Sequence, residues 1–203
     1  FTRFLFNIAE TEDGGAVHIN LPRNQIKSNG TIFWNNVAHT SGGAVFLRNS
    51  DWISVGDSFQ SNRALAGSGG AIRMWGSRIN LTSNTLCRSN RALAGGGGCL
   101  MWNSVIDGVS TTSADLNPLG IDSSTASNFA FNKAAYGNDL ATPGFSLRSI
   151  NSTLQVFTTD FNGFLMPRPR VELLDFYGHV VHGNYADVSV RALMNVSLSS
   201  SSG

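Results

Sequence analysis

Few side chains in this sequence have a type and spacing that could do chemistry. Glu10, Glu12 and Asp13 form one tight carboxylate group, on a turn just before a glycine pair. Glycoside hydrolysis needs two carboxylates facing each other across a bond, and a calcium site needs several converging oxygens. The equivalent turns further along, His39-Thr40-Ser41, Ala66-Gly67-Ser68 and Ala94-Gly95-Gly96, carry no acid. Asp51, Asp57, Asp107 and Asp139 each stand alone at a turn, where solvation is expected. His179 and His182 lie three apart across a strand and turn, and His18 and His39 are isolated. No Cys/His spacing matches a zinc site. No Ser-His-Asp order stands out, and residues 95–98 lack the Lys-Ser/Thr that follows a phosphate-cradling loop. No catalytic residue, metal or cofactor is assigned, and the chain is read as non-enzymatic.

Modification chemistry is better represented. Asn29-Gly30-Thr31, Asn80-Leu81-Thr82, Asn151-Ser152-Thr153 and Asn195-Val196-Ser197 fit the N-glycosylation acceptor. N-linked glycans and an extracellular or cell-surface location are therefore expected. Asn80 alternates with Ile79 and Leu81, so it faces solvent if those two face a core. Cys87 and Cys99 are twelve residues apart. They either bridge from adjacent walls or stay as buried thiols, since spacing alone does not fix their Cα separation.

Composition excludes some partners. Charged residues make up 13% of the 203, and the net charge is +1, which gives no electrostatic case for nucleic acid or an anionic membrane. No apolar run approaches the ~20 residues that span a bilayer. The chain opens inside a repeat and closes on a Ser-rich stretch, 199–203, that reads as a flexible linker. A piece of a longer polypeptide, or a processed chain, is expected.

The elements that must position these residues are repeats. Gly14-Gly15-Ala16-Val17, Gly42-Gly43-Ala44-Val45, Gly69-Gly70-Ala71-Ile72 and Gly97-Gly98-Cys99-Leu100 recur at 28, 27 and 28 residues. Upstream of each, an apolar residue stands three before an asparagine: Phe4/Asn7, Phe33/Asn36, Phe59/Asn62 and Cys87/Asn90, with Phe129/Asn132 after a longer gap. Such self-similarity marks a solenoid. Each unit offers three short apolar segments, at 16–21, 25–27 and 31–34, then 44–47, 52–55 and 58–59, then 71–74, 78–81 and 85–87. The expected fold is all-β, a parallel β-helix of about 28 residues and three strands per coil, each strand pairing with its counterpart about 4.8 Å away. Val17/Ile19, Val45/Leu47, Ile72/Met74 and Leu100/Trp102 then face inward, and His18, Phe46, Arg73 and Met101 outward. The phenylalanines form a second ladder. The asparagines turn a corner, where Asn tolerates a left-handed backbone and bonds to the Asn of the next coil. The glycine pair turns another corner, where a Cβ clashes or φ is positive.

Phe4-Leu5-Phe6-Asn7, Phe33-Trp34-Asn35-Asn36, Phe59-Gln60-Ser61-Asn62 and Phe129-Ala130-Phe131-Asn132, alternating with the glycine motifs, resemble the repeats of chlamydial polymorphic outer-membrane proteins. Large surface proteins of protists and algae carry similar repeats. The resemblance covers residues 1–143. It implies a right-handed parallel β-helix and an extracellular structural or adhesive protein.

Residues 108–127 interrupt the period, because Cys87/Asn90 and Phe129/Asn132 are 42 apart, and are read as a surface loop. Tyr136-Gly137-Asn138 replaces the glycine pair, and Pro143 ends the ladder. Residues 144–198 read as a small antiparallel β module, either a capping sheet or a partial Ig-like domain. Trp75 and Trp102 sit at nearly equivalent places, and alternation turns Trp102 inward rather than into a sugar-stacking platform. Arg63 and Arg91 stack in register and should be exposed. The expected function is a glycosylated building block of a surface fibre, appendage or coat, assembling with itself or similar subunits through helix ends and open sheet edges. A carbohydrate-binding adhesin is the alternative, and a polysaccharide lyase or hydrolase the more distant one.

Overall fold

The structure, a computed structural model, describes residues 1–21, 25–82, 84–103, 105–106, 109–110, 128–144, 146–149, 158–159, 165–166 and 171–182. Among them there is no helix, and short strands stack in parallel ladders as a β-solenoid. One ladder runs through Arg3–Leu5, Ile32–Trp34, Ser58–Gln60, Leu86–Arg88 and Phe129–Ala130. The post-glycine ladder runs through Val17–Asn20, Val45–Arg48, Ile72–Trp75, Leu100–Asn103 and Leu140–Ala141. A third holds Gln25–Asn29, Asp51–Val55 and Arg78–Leu81.

The expected three-strand coil gains a fourth, very short strand just after each asparagine: Ile8–Ala9, Val37–Ala38, Arg63–Ala64 and Arg91–Ala92. Two-residue strands carry too little alternation to register as strands in the sequence.

The Asn corner holds these ladders in register. Each Asn Nδ2–H donates to the Oδ1 of the next, from Asn7 to Asn36, Asn62, Asn90 and Asn132, at 2.8–3.0 Å. The same Oδ1 atoms accept the backbone N–H of the preceding Asn. The second Nδ2–H reaches a carbonyl one coil back: Phe4, Phe33, Phe59 and Cys87 serve Asn36, Asn62, Asn90 and Asn132. Each interior amide thus satisfies its donors and acceptor while buried, which removes the penalty for desolvating it.

The left-handed residue at this corner is the one before each asparagine, and the expectation for the Asn itself is corrected. Phe6, Asn35, Ser61, Ser89 and Phe131 have φ between 55° and 59°. That twist swings the following side chain inward, where the amide finds its partners.

The two glycines of each pair do different work. Gly14, Gly42, Gly69 and Gly97 have φ of 64–72°. Gly15, Gly43 and Gly70 do not, but a Cβ on any of them would lie 2.2 Å from the carbonyl oxygen of the second glycine in the next coil. So the first supplies the conformation and the second the close approach.

Inside, Val45, Leu47, Ile72, Met74, Leu100 and Trp102 are buried as expected. Phe33 stacks on Phe4 at 5.0 Å and on Phe59 at 4.8 Å with the rings nearly parallel, and Trp52 packs edge-to-face with Phe33 and Phe59. The outward set departs from expectation. His18 is exposed, but Phe46, Arg73 and Met101 are buried, because the glycine turns fold over that wall: a Cβ on Gly14 would touch the Cβ of Phe46, and one on Gly42 that of Arg73.

The solenoid ends at Leu140–Ala141, and Thr142-Pro143 leads away. Beyond it Ser146–Ser149 pairs antiparallel with Val171–Leu174, and Thr158–Thr159 with Leu165–Met166. The turn Phe176–Gly178 brings Val180 back against Leu174.

Candidate functional site

The two ends of the solenoid differ. Among the described residues, all four ladders begin in the first coil with a strand paired on one side only: Arg3–Leu5, Ile8–Ala9, Val17–Asn20 and Gln25–Asn29. Half-buried Phe4, Val17, Ile19 and Ile26 line a hollow of about 330 Å³ that opens at this end, with Phe33, Val45 and Trp52 as its floor. Unpaired strand edges around an apolar mouth form a template for further strands.

The other end is covered by the chain itself. Phe176 packs on the solenoid core with its ring edge toward Trp102, whose Nε1–H donates to the Tyr177 hydroxyl at 3.0 Å. Buried Asp175 accepts the Thr142 N–H through Oδ2, and the Thr142 hydroxyl accepts the Phe176 N–H at 2.9 Å. Residues 175–177 thus cover this end of the solenoid core. Burial of Tyr177 raises its pKa, and the nearby Asp175 charge adds to the shift, while the Trp102 donor opposes it. Folding raises this pKa, so the cap's contribution is complete below the ordinary tyrosine range and fades as pH climbs through the folded value. Trp102→Phe removes the donor that favours the phenolate, so it should raise the Tyr177 pKa further; the tyrosinate absorbance band in a pH titration reads this.

Beside the cap lies an open cleft of about 790 Å³ lined by Tyr136, Asp139, Tyr177, His179 and His182, among others. Asp175 accepts the His179 N–H at 2.8 Å and holds Nδ1 of its ring at 3.1 Å, fixing the imidazole. The sequence sets His179 beside His182, three residues on, but its hydrogen-bond partner is Asp175, four residues back across a turn. Asp139, a carboxylate in the cleft lining, takes the Nδ2–H of Asn132 at 2.8 Å and terminates the Asn ladder.

The other sequence candidates separate. Glu10 and Glu12 are exposed, while Asp13 accepts the N–H of Ser41 at 2.9 Å and the Thr40 hydroxyl, bracing the next coil. Asp57 is buried, which corrects the expectation of a solvated turn carboxylate. It accepts the Thr31 N–H at 2.7 Å and the Ser54 hydroxyl at 2.6 Å, and the Ser28 hydroxyl as well. Among the described residues no group of three His, Cys, Asp or Glu could hold a metal ion. Trp102 is buried and Trp75 is exposed between Arg48 and Arg73, so the two do not form a platform. Asn29 and Asn80 are exposed, Asn29 on the rim of the open end. Asn151, Asn195, Asp107, most of the 108–127 insertion and the 199–203 tail lie outside the described residues.

Cys87 and Cys99 are joined by a disulfide with Cα atoms 6.0 Å apart. Cys87 pairs with Phe59 and Phe129 in its ladder, and Cys99 takes the place of Ala44 and Ala71. The bridge thus fills the space of one phenylalanine ring. Removing it as Cys87→Ala/Cys99→Ala should cost about 2–4 kcal/mol. Cys87→Phe/Cys99→Ala, which restores the pattern of the neighbouring coils, should recover much of that in a urea melt.

The class that fold and ends define is a parallel β-solenoid with one bare and one covered end. Comparison with protein-family models, curated proteins and solved structures gives no match.

Proposed function

We propose that this chain is a non-enzymatic structural unit of an extracellular surface, a glycosylated building block that assembles through its bare first coil. The observation that carries this reading is the first coil itself, where every ladder presents an edge unpaired among the described residues around the Phe4, Val17, Ile19 and Ile26 hollow. Adding a strand to each edge pairs open backbone groups and covers apolar surface in one step. The covered end sets the geometry. Stacking bare end on capped end requires displacing Phe176 and Tyr177, whereas two first coils meeting about a two-fold axis does not. The outer edge of Ser146–Ser149, unpaired among the described residues, supplies the second contact that extends a pair into a fibre or coat. Exposed Asn29 and Asn80 are the described glycan positions of this unit.

The test is sedimentation and negative-stain electron microscopy of untagged chain from a secreting eukaryotic host, with glycopeptide mass spectrometry. Concentration-dependent dimers and regular assemblies, glycosylated at Asn80, are expected. Monomers at every concentration with bare Asn29 and Asn80 would overturn the reading.

A further inference from the structure

We propose that one corner of the solenoid binds an extended anionic polysaccharide along the stacking axis. This goes beyond assembly and uses a different surface. Arg63 pairs in register with Arg91, and Arg91 with Lys133, so three cations stand on three consecutive rungs, all exposed. Around the same corner, exposed Arg88 follows Gln60 and Trp34 on the adjoining ladder. Like charges opposite one another on neighbouring strands destabilise a sheet, so folding gains nothing from this column. Among the described residues nothing nearby offsets it. The corner segments 3–9, 32–38, 58–64, 86–92 and 129–135 contain no Asp or Glu, and no ion pair to Arg63, Arg88, Arg91 or Lys133 occurs among the described residues. Elsewhere the register breaks such columns up: on the third ladder Gln25, Asp51 and Arg78 follow one another.

The spacing identifies the class of ligand. Neighbouring rungs are about 4.8 Å apart, so the column spans about 10 Å, close to the length of a disaccharide in an extended chain. One anionic group per sugar meets one cation per rung, and the arginine guanidinium fits carboxylate or sulfate oxygens with two parallel N–H donors. Trp34, 40% exposed and braced by the ring of Phe6 at 4.7 Å, offers a flat face for a sugar ring two rungs from Arg88. Gln60 and Ser61 supply uncharged hydrogen-bonding groups suited to hydroxyls. A sequence pI of about 8.0 and a single four-cation corner fall short of the broad basic face that nucleic acid binders carry.

Binding of the full chain to polygalacturonate, dextran sulfate and neutral dextran tests this. Both anionic polymers should bind, weakening as salt rises, and neutral dextran should not. Arg63→Gln/Arg91→Gln/Lys133→Gln should weaken binding at least about tenfold with no loss of melting temperature, and Arg78→Gln should leave it unchanged. Trp34→Ala should weaken both polymers alike. Unchanged affinity in the triple variant, equal binding of neutral dextran, or tighter binding of a single-stranded oligonucleotide of the same charge at the same salt would each overturn the proposal.

Discussion

Asn62→Ala is expected to abolish cooperative folding of the solenoid. The Asn62 amide donates to Asn90 Oδ1 at 2.9 Å and to the Phe33 carbonyl at 3.0 Å, and its Oδ1 accepts both the backbone and side-chain N–H of Asn36. Alanine leaves at least the two Asn36 donors without an acceptor, in a place neither water nor another side chain reaches, since Asn36 and Asn62 are both fully buried. An orphaned buried polar group costs about 1–3 kcal/mol. With the lost volume added, the total is at least about 4 kcal/mol, most of the stability of a marginal domain. Asn7→Ala is the internal control. Asn7 is the first member and only half-buried, and its side chain only donates, to Asn36, so about 1 kcal/mol is expected. Far-ultraviolet circular dichroism during urea denaturation separates the two. Equal, small losses would mean that the Asn ladder is a consequence of the stacking rather than a cause of it.

Gly70→Ala is expected to destabilise nearly as much, by a different route. Its added Cβ would fall 2.2 Å from the Gly98 carbonyl oxygen and 2.6 Å from the backbone N and C of Arg91. All of these are backbone atoms of the next coil, so relief requires moving the coil. In a solenoid that movement passes to each neighbour in turn. A loss of about 3 kcal/mol or more follows. Gly178→Ala provides the contrast. Nothing lies within 4 Å of the Cβ it adds, so only the left-handed φ of 82° is penalised, by about 1 kcal/mol. Comparable denaturation midpoints for the two variants would show that the coils can separate at low cost.

Both predictions concern residues that the repeat already marks. Phe33, Asn62 and Gly70 stand out in the sequence because each touches a residue one period away, so the contact map of a solenoid is written into its self-similarity. The disulfide was half-legible: Cys87 and Cys99 visibly replace Phe and Ala, but their closeness depends on how two walls meet. The candidate site was legible only in part. The sequence shows that a solenoid has ends; it does not show that one end is covered.

The sequence by itself determined the period, the inward faces, the stacked amides and rings, the outward Asn80 and the column Arg63–Arg91, because each follows from alternation plus a fixed repeat. Tertiary structure alone decided the rest. It put the left-handed turn on Ser61 rather than Asn62, buried Asp57 under donors from Thr31 and Ser28 of the neighbouring coil, roofed Phe46 and Arg73 with glycine turns, and set Tyr177 on Trp102 from 75 residues away. The Tyr177–Trp102 contact joins segments that share no periodic relation, and the others, though one coil apart, turn on how backbone twist and desolvation balance at a corner, which leaves no pattern in the order of residues.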